Sequence, residues 1–202
     1  MNTVDTSGSR RDIQTSRVGS DVAVRVVVLV GFMGAGKTTV GRALGQRLGW
    51  SFEDLDDRIQ TRENRTIANI FREGGEVGFR AAEKSALREA LAEARSGSRR
   101  VLAVGGGAFV QAENASLLDN ADTPTIFLDA PAQELWKRCG TDPIERPLRR
   151  QEAEFHELYE ARRPHYLRAM LRVETGGRNI EHIVDEIVGS LRLEVQHRDG
   201  EK

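Results

Sequence analysis

The chain has 202 residues, 39% of them hydrophobic and 30% charged, with a formal net charge of −1. That length suits one globular domain, and near-neutral charge argues against a general nucleic-acid binder, which carries a basic excess. No stretch approaches the roughly 20 apolar residues of a membrane span. The lone Cys139 can form neither an internal disulfide nor a zinc site, which fits a reducing, cytoplasmic compartment.

Residues 1–21 begin MNTVDTSGSRR and lack the apolar core of a secretory leader, so they read as a disordered tail. Residues 22–195 read as a single domain, and the polar residues 196–202 as a frayed end. The first strand is expected over 22–30, an unbroken apolar run suited to burial on both faces. A helix over 37–48 carries Val40, Leu44 and Leu48 on one face, with Gly49 as its stop. A short strand over 50–54 ends in acidic residues. It opens a helical excursion over 55–95: a helix at 57–62, a capped turn at 66–71, a break at Gly74-Gly75 and a long helix at 76–95.

The third strand is expected at 100–104 and the fourth at 125–128, the latter leading to a helix through Trp136. A polar stretch at 140–153, holding Pro143 and Pro147, reads as a lid. A helix over 152–163 is expected to stop at Pro164, followed by a fifth strand at 171–175. A last helix has Ile180, Ile183, Val184, Ile187, Val188 and Leu191 as its core stripe. Strands alternating with helices give an α/β class: a five-stranded parallel sheet covered by helices on both faces, hence three layers.

Gly31-x-x-x-x-Gly36-Lys37-Thr38 is a complete phosphate-binding loop with a strand before it and a helix after it. Its glycines let backbone N–H groups turn toward phosphate oxygens, and the helix N-terminus adds partial positive charge. Lys37 can reach the β and γ phosphates, and the Thr38 hydroxyl can ligate Mg²⁺. The loop holds a nucleoside triphosphate without naming what receives the phosphoryl group.

Three features bear on that acceptor. Asp54-Leu55-Asp56 follows the second strand, at the strand end where open α/β sheets bind ligands. An extended chain would put both carboxylates on one side, one for the magnesium shell and one for a substrate hydroxyl. The alternative is a polar strand end or a helix cap. Arg80 and Arg162 carry guanidinium forks suited to a carboxylate. Alternatively, Arg80 pairs with Glu76 or Glu83 along its helix, and Arg162 is a solvated charge beside Arg163. Gly105-Gly106-Gly107 after the third strand permits either close backbone approach to a ligand or a tight loop. Many phosphate-loop enzymes carry an aspartate for magnesium there, so the glycines shift that role toward Asp54. His156, His165, His182 and His197 show no metal spacing.

Taken together, GFMGAGKTT, the DLD of Asp54 to Asp56, GEVGFRAAE from Gly75 to Glu83, VGGGA from Val104, ERP from Glu145 and ARRPHY from Ala161 resemble the shikimate kinase family in order and spacing. The resemblance covers roughly residues 24–191 and implies a P-loop kinase fold. It implies transfer of the γ-phosphoryl group of ATP to the 3-hydroxyl of shikimate, in aromatic amino-acid biosynthesis, by a monomer. It further implies that Gly34, Ala35, Gly36, Lys37, Thr38 and Thr39 hold the nucleotide phosphates, with Thr38 and Asp54 serving Mg²⁺. Asp56 would orient the attacking hydroxyl, and Arg80 and Arg162 would clamp the carboxylate, with Glu83 holding Arg80. Gly105, Gly106 and Gly107 would line the substrate. Arg146 would fold over the phosphates from the lid, and Arg138 and Arg178 would lie near the adenine.

The chain departs from the family pattern in a stretch between Arg138 and Arg146 about one residue longer than expected, in Ile180 where proline is common, and in its N-terminal extension. The competing readings are a gluconate-type kinase and a nucleotide-binding regulatory module without turnover.

Overall fold

In a computed structural model, the structure describes residues 24–141 and 151–195. Five strands, β1 (Val26–Val30), β2 (Ser51–Asp54), β3 (Arg100–Ala103), β4 (Thr125–Asp129) and β5 (Leu171–Glu174), form one sheet in the order β2-β3-β1-β4-β5. Every pairing is parallel. Parallel neighbours need long crossovers, and helices supply them: α1 (Lys37–Leu48), α2 (Leu55–Glu63), α3 (Ile67–Arg95), α4 (Ala112–Asn120), α5 (Ala132–Thr141), α6 (Glu152–Tyr166) and α7 (Ile180–Ser190). This is the five-stranded parallel α/β sheet expected from the alternation of strands and helices.

The central strand β1 is buried at all five positions, as its unbroken apolar run requires. Its registers decide where the chemistry sits. Leu29 lies opposite Ala103 of β3, and Ala103 lies opposite Asp54 of β2. The chain segments leaving β1, β3 and β2 therefore emerge side by side at one end of the sheet, where parallel sheets hold ligands. Among the described residues, no helix is long and apolar enough to cross a membrane.

Several boundaries differ from the sequence expectation. Strand β1 begins at Val26, because Val24 and Arg25 precede the first ladder pair. The segment α3 is two helices meeting at Gly75 (φ 62°, ψ −165°), where the break expected at Gly74-Gly75 falls; the first, capped by the Thr66 side chain on Asn69 N–H, runs on past the expected 66–71 turn to that kink. Phe71 stacks on Phe79 across this kink at 4.6 Å, which holds the two halves together. Helix α5 runs past Trp136 to Thr141.

Helix α4 has no counterpart in the sequence reading. Its buried face is only Asn114, Ala115 and Leu118, too weak a stripe to announce a helix. Helix α6 passes through Pro164 to Tyr166. Proline removes one donor, but the turn closes beyond it, with Leu167 N–H on Arg163 O at 3.0 Å.

Candidate active site

The phosphate loop is built by backbone conformation and by packing from α6. Gly31 has φ 147°, and a Cβ there would stand 2.8 Å from the Leu128 carbonyl oxygen, so no other residue fits without displacement. Gly36 has φ 87° and begins α1 with no side-chain cap, which leaves the orphan N–H groups of a first turn to an anion. Phe32, fully buried, anchors the loop edge-on to Phe155 (5.0 Å) and Tyr159 (5.5 Å) of α6. Lys37 Nζ folds back to donate to the carbonyls of Gly31 (2.9 Å) and Phe32 (3.1 Å).

Asp54 and Asp56 are not two residues of an extended strand. Asp54 is the N-cap of α2, its carboxylate accepting Asp56 N–H at 3.0 Å, and Asp56 lies in the first helical turn. The turn, not strand periodicity, brings both carboxylates to the sheet end. Asp54 also lies 3.5 Å from Thr38 Oγ1, so the capping residue and the loop threonine face each other. Burial raises the Asp54 carboxyl, opposed by its bond to Asp56 N–H, by Lys37 and by Thr38. Burial first, then the charges of Asp54 and Glu83, push Asp56 up to about 6, against the pull of Lys37.

The triglycine turn joins these groups to the arginines. A Cβ on Gly105 would meet Asp56 Oδ1 at 3.1 Å. One on Gly106 would stand 3.6 Å from Arg162 Nη1, and one on Gly107 would be 2.8 Å from Arg80 Nη2. Asp56, Arg162 and Arg80, which lie far apart in the chain, thus converge on one turn beside the phosphate loop. Arg80 is held by Glu83, a carboxylate only 1% exposed, at 2.9 and 3.1 Å, and contacts Glu76 at 3.4 Å. Asn114 of α4 completes the support, donating to Glu83 (3.4 Å) and to Ala108 O (3.1 Å). Asn114 escaped the sequence reading because its helix did; an asparagine on a buried helix face is the one signal that could have marked it. Burial raises the Glu83 carboxyl despite Arg80.

Arg138 of α5 donates to Gly34 O of the phosphate loop (3.4 Å) and to Thr175 O (3.1 Å), and pairs with Glu134. Arg178 sits on the same loop after β5, bound to Glu174 O (2.9 Å) and Glu186 (2.6 Å), with no contact joining it to the phosphate loop among the described residues. Arg146 and most of the expected lid lie outside the described residues. A cavity of about 600 Å³ is lined by Asp54, Arg42, Asp57, Arg58 and Arg62, with paired charges on its wall, Arg58 with Glu53 at 2.7 Å among them.

The family model described as shikimate kinase matches residues 33–192. The chain belongs to the shikimate kinase family. A shikimate kinase of Streptomyces avermitilis is 44% identical over 173 residues, 83% of this chain and 95% of the relative. One of Persephonella marina is 40% identical over 171 residues, covering 84% and 100%. The solved shikimate kinase of Acinetobacter baumannii in complex with shikimate is 34% identical, with a TM-score of 0.74, covering 85% of this chain and 96% of that one. The matched residues take in α1, the DLD stretch and the triglycine turn.

Proposed function

We propose that this shikimate kinase family member transfers the γ-phosphoryl group of ATP to the 3-hydroxyl of shikimate, feeding aromatic amino-acid biosynthesis. The observation that carries the reading is the convergence of Asp56, Arg162 and Arg80 on Gly105-Gly106-Gly107, next to a complete phosphate loop. Phosphoryl transfer asks the protein mainly for positioning and charge neutralisation.

In this proposal Gly34, Ala35, Gly36, Lys37, Thr38 and Thr39 hold the phosphates, with Lys37 moving from the Gly31 and Phe32 carbonyls onto the γ-phosphate. Thr38 and Asp54 serve Mg²⁺. Both are hard oxygen donors, and the described residues hold no cluster of three or more metal-ligating side chains. That fits an ion held largely by phosphates and water. Mg²⁺, when bound, neutralises phosphate charge and orients the transferred group. Asp56, a carboxylate above pH 6, accepts the hydrogen bond of the attacking hydroxyl and takes up its proton.

Arg80 and Arg162 clamp the shikimate carboxylate, and the triglycine backbone lets the ring approach. Arg138 and Arg178 lie toward the adenine, and Arg146 closes over the phosphates, a role worth about 10³–10⁵ in rate for such arginines. The protein works as a monomer in the cytoplasm, with the two small molecules as its partners and no nucleic acid or membrane. The single cysteine and net charge of −1 support that placement.

The test is ADP formation from Mg²⁺-ATP with no acceptor, with shikimate or with gluconate. ADP formed only with shikimate is expected. ADP only with gluconate, or none with either from folded protein that binds ATP, refutes the proposal.

A further inference from the structure

Tyr166 ends α6 with its side chain fully buried and its ring against Phe127 at 5.3 Å. Its hydroxyl donates to the Gly106 carbonyl, and the Arg162 guanidinium, one helical turn earlier, lies beside the same glycine. A Cβ on Gly106 would stand 3.5 Å from the Tyr166 hydroxyl, so tyrosine, arginine and glycine share one small space. Burial pushes the phenol up to about 12, outweighing the opposite influence of Arg162, so the group keeps its proton at any working pH. A buried hydroxyl is costly unless bonded, and phenylalanine would fill the same volume without that cost. Packing alone therefore does not account for the oxygen.

The Gly106 carbonyl belongs to the same peptide as the Gly107 N–H, and Gly107 is the glycine that abuts Arg80. One oxygen thus links α6, which carries Arg162, to the turn that Arg80 leans on. We propose that Tyr166 is a positioning residue for the acceptor: its hydroxyl sets the spacing between Arg162 and the Gly106–Gly107 peptide, and so the geometry of the two-arginine clamp. The inference rests on the reading of Arg80 and Arg162 as that clamp. Tyr166 itself touches neither substrate. Its effect falls mainly on shikimate, because the rings that brace Phe32 of the phosphate loop are those of Phe155 and Tyr159, with Arg162 farther off at 6.0 Å.

The experiment is steady-state kinetics on Tyr166→Phe, Arg162→Ala and the double variant, with thermal melts of each. Tyr166→Phe should raise the shikimate KM about 3- to 20-fold, the range of one lost hydrogen bond to a charged or constrained partner, and leave the ATP KM within about twofold. In the Arg162→Ala background the same substitution should cost less than half as much on a logarithmic scale, since the arginine whose spacing it sets is gone. If Arg162→Ala leaves the shikimate KM unchanged, the clamp reading falls and the Tyr166 assignment with it. If Arg162→Ala raises that KM while Tyr166→Phe does not, the clamp stands and the Tyr166 assignment alone is overturned. A Tyr166→Phe protein that unfolds, or whose two KM values rise together, makes the hydroxyl a packing element and also overturns it.

Discussion

Replacing Asp56 by asparagine should stabilise the protein while destroying its turnover. In the folded chain the carboxyl is pushed from an ordinary value of 3.8 up to about 6 by burial and by the charges of Asp54 and Glu83. A raised carboxyl makes folding favourable to its protonated form. Its contribution is intact below about pH 4, is lost as pH rises through 6, and stays lost above. At pH 7.5 that loss is up to about 3 kcal/mol, taking 1.36 kcal/mol per tenfold change in proton affinity.

Asparagine is neutral at every pH and escapes the loss. Its melting temperature at pH 7.5 should exceed that of the native chain by about 3–10 °C, at roughly 2–4 °C per kcal/mol for a protein of this size. The gap should shrink toward zero near pH 4. The same substitution removes the proposed acceptor of the hydroxyl proton and should lower kcat by about 10²–10⁴. Native kcat/KM should likewise fall as pH drops through 6. Melting curves at pH 4, 5.5 and 7.5, with turnover at pH 7.5, decide the matter. An asparagine variant less stable than native at pH 7.5, or more stable by the same margin at all three pH values, refutes the electrostatic account.

Gly107→Ala places a methyl group 2.8 Å from Arg80 Nη2, which Glu83 keeps from swinging away. The fold should survive with a shikimate KM about 10- to 100-fold higher and an unchanged ATP KM, both read from initial rates. Arg80→Ala leaves the buried Glu83 carboxylate with the Asn114 amide at 3.4 Å and costs about 2–4 kcal/mol in urea unfolding. Protonation relieves an unpaired carboxylate, so that deficit should be larger at pH 8 than at pH 5. Asp129, 4% exposed at the end of β4, binds Arg163 and Arg172 at 2.9 Å each and accepts from the Tyr159 hydroxyl at 3.2 Å. Asp129→Asn removes the counter-charge that docks α6 on the sheet and should cost about 1–3 kcal/mol in the same measurement.

Local chemistry made part of this protein legible. The phosphate loop needs only a strand, spaced glycines and a helix start, all contiguous from Val26 to Leu48, and each appears in the structure as the sequence implied. The motif set likewise pointed to the family that the comparisons establish. Where competing local forces are close, the sequence misled. Proline alone argues for a stop at 164, but the chain closes one more turn and so places Tyr166 beneath Arg162. For the DLD stretch the sequence left an extended chain and a helix cap both open, and the cap forms, because the Asp54 side chain satisfies Asp56 N–H.

What the sequence by itself determined is the class of fold and the loop that holds a triphosphate, since both rest on contacts a few residues apart. The acceptor site is different in kind. Asp56, Arg80 and Arg162 each had an innocuous alternative, and in the structure Arg80 does pair with Glu83, in a bond that orients it toward Gly107. Which residues meet was decided by the strand order β2-β3-β1-β4-β5, which sets the ends of β2 and β3 beside β1 and lays α6 across the phosphate loop. Strand order is a property of long-range pairing, and no spacing within a single segment encodes it.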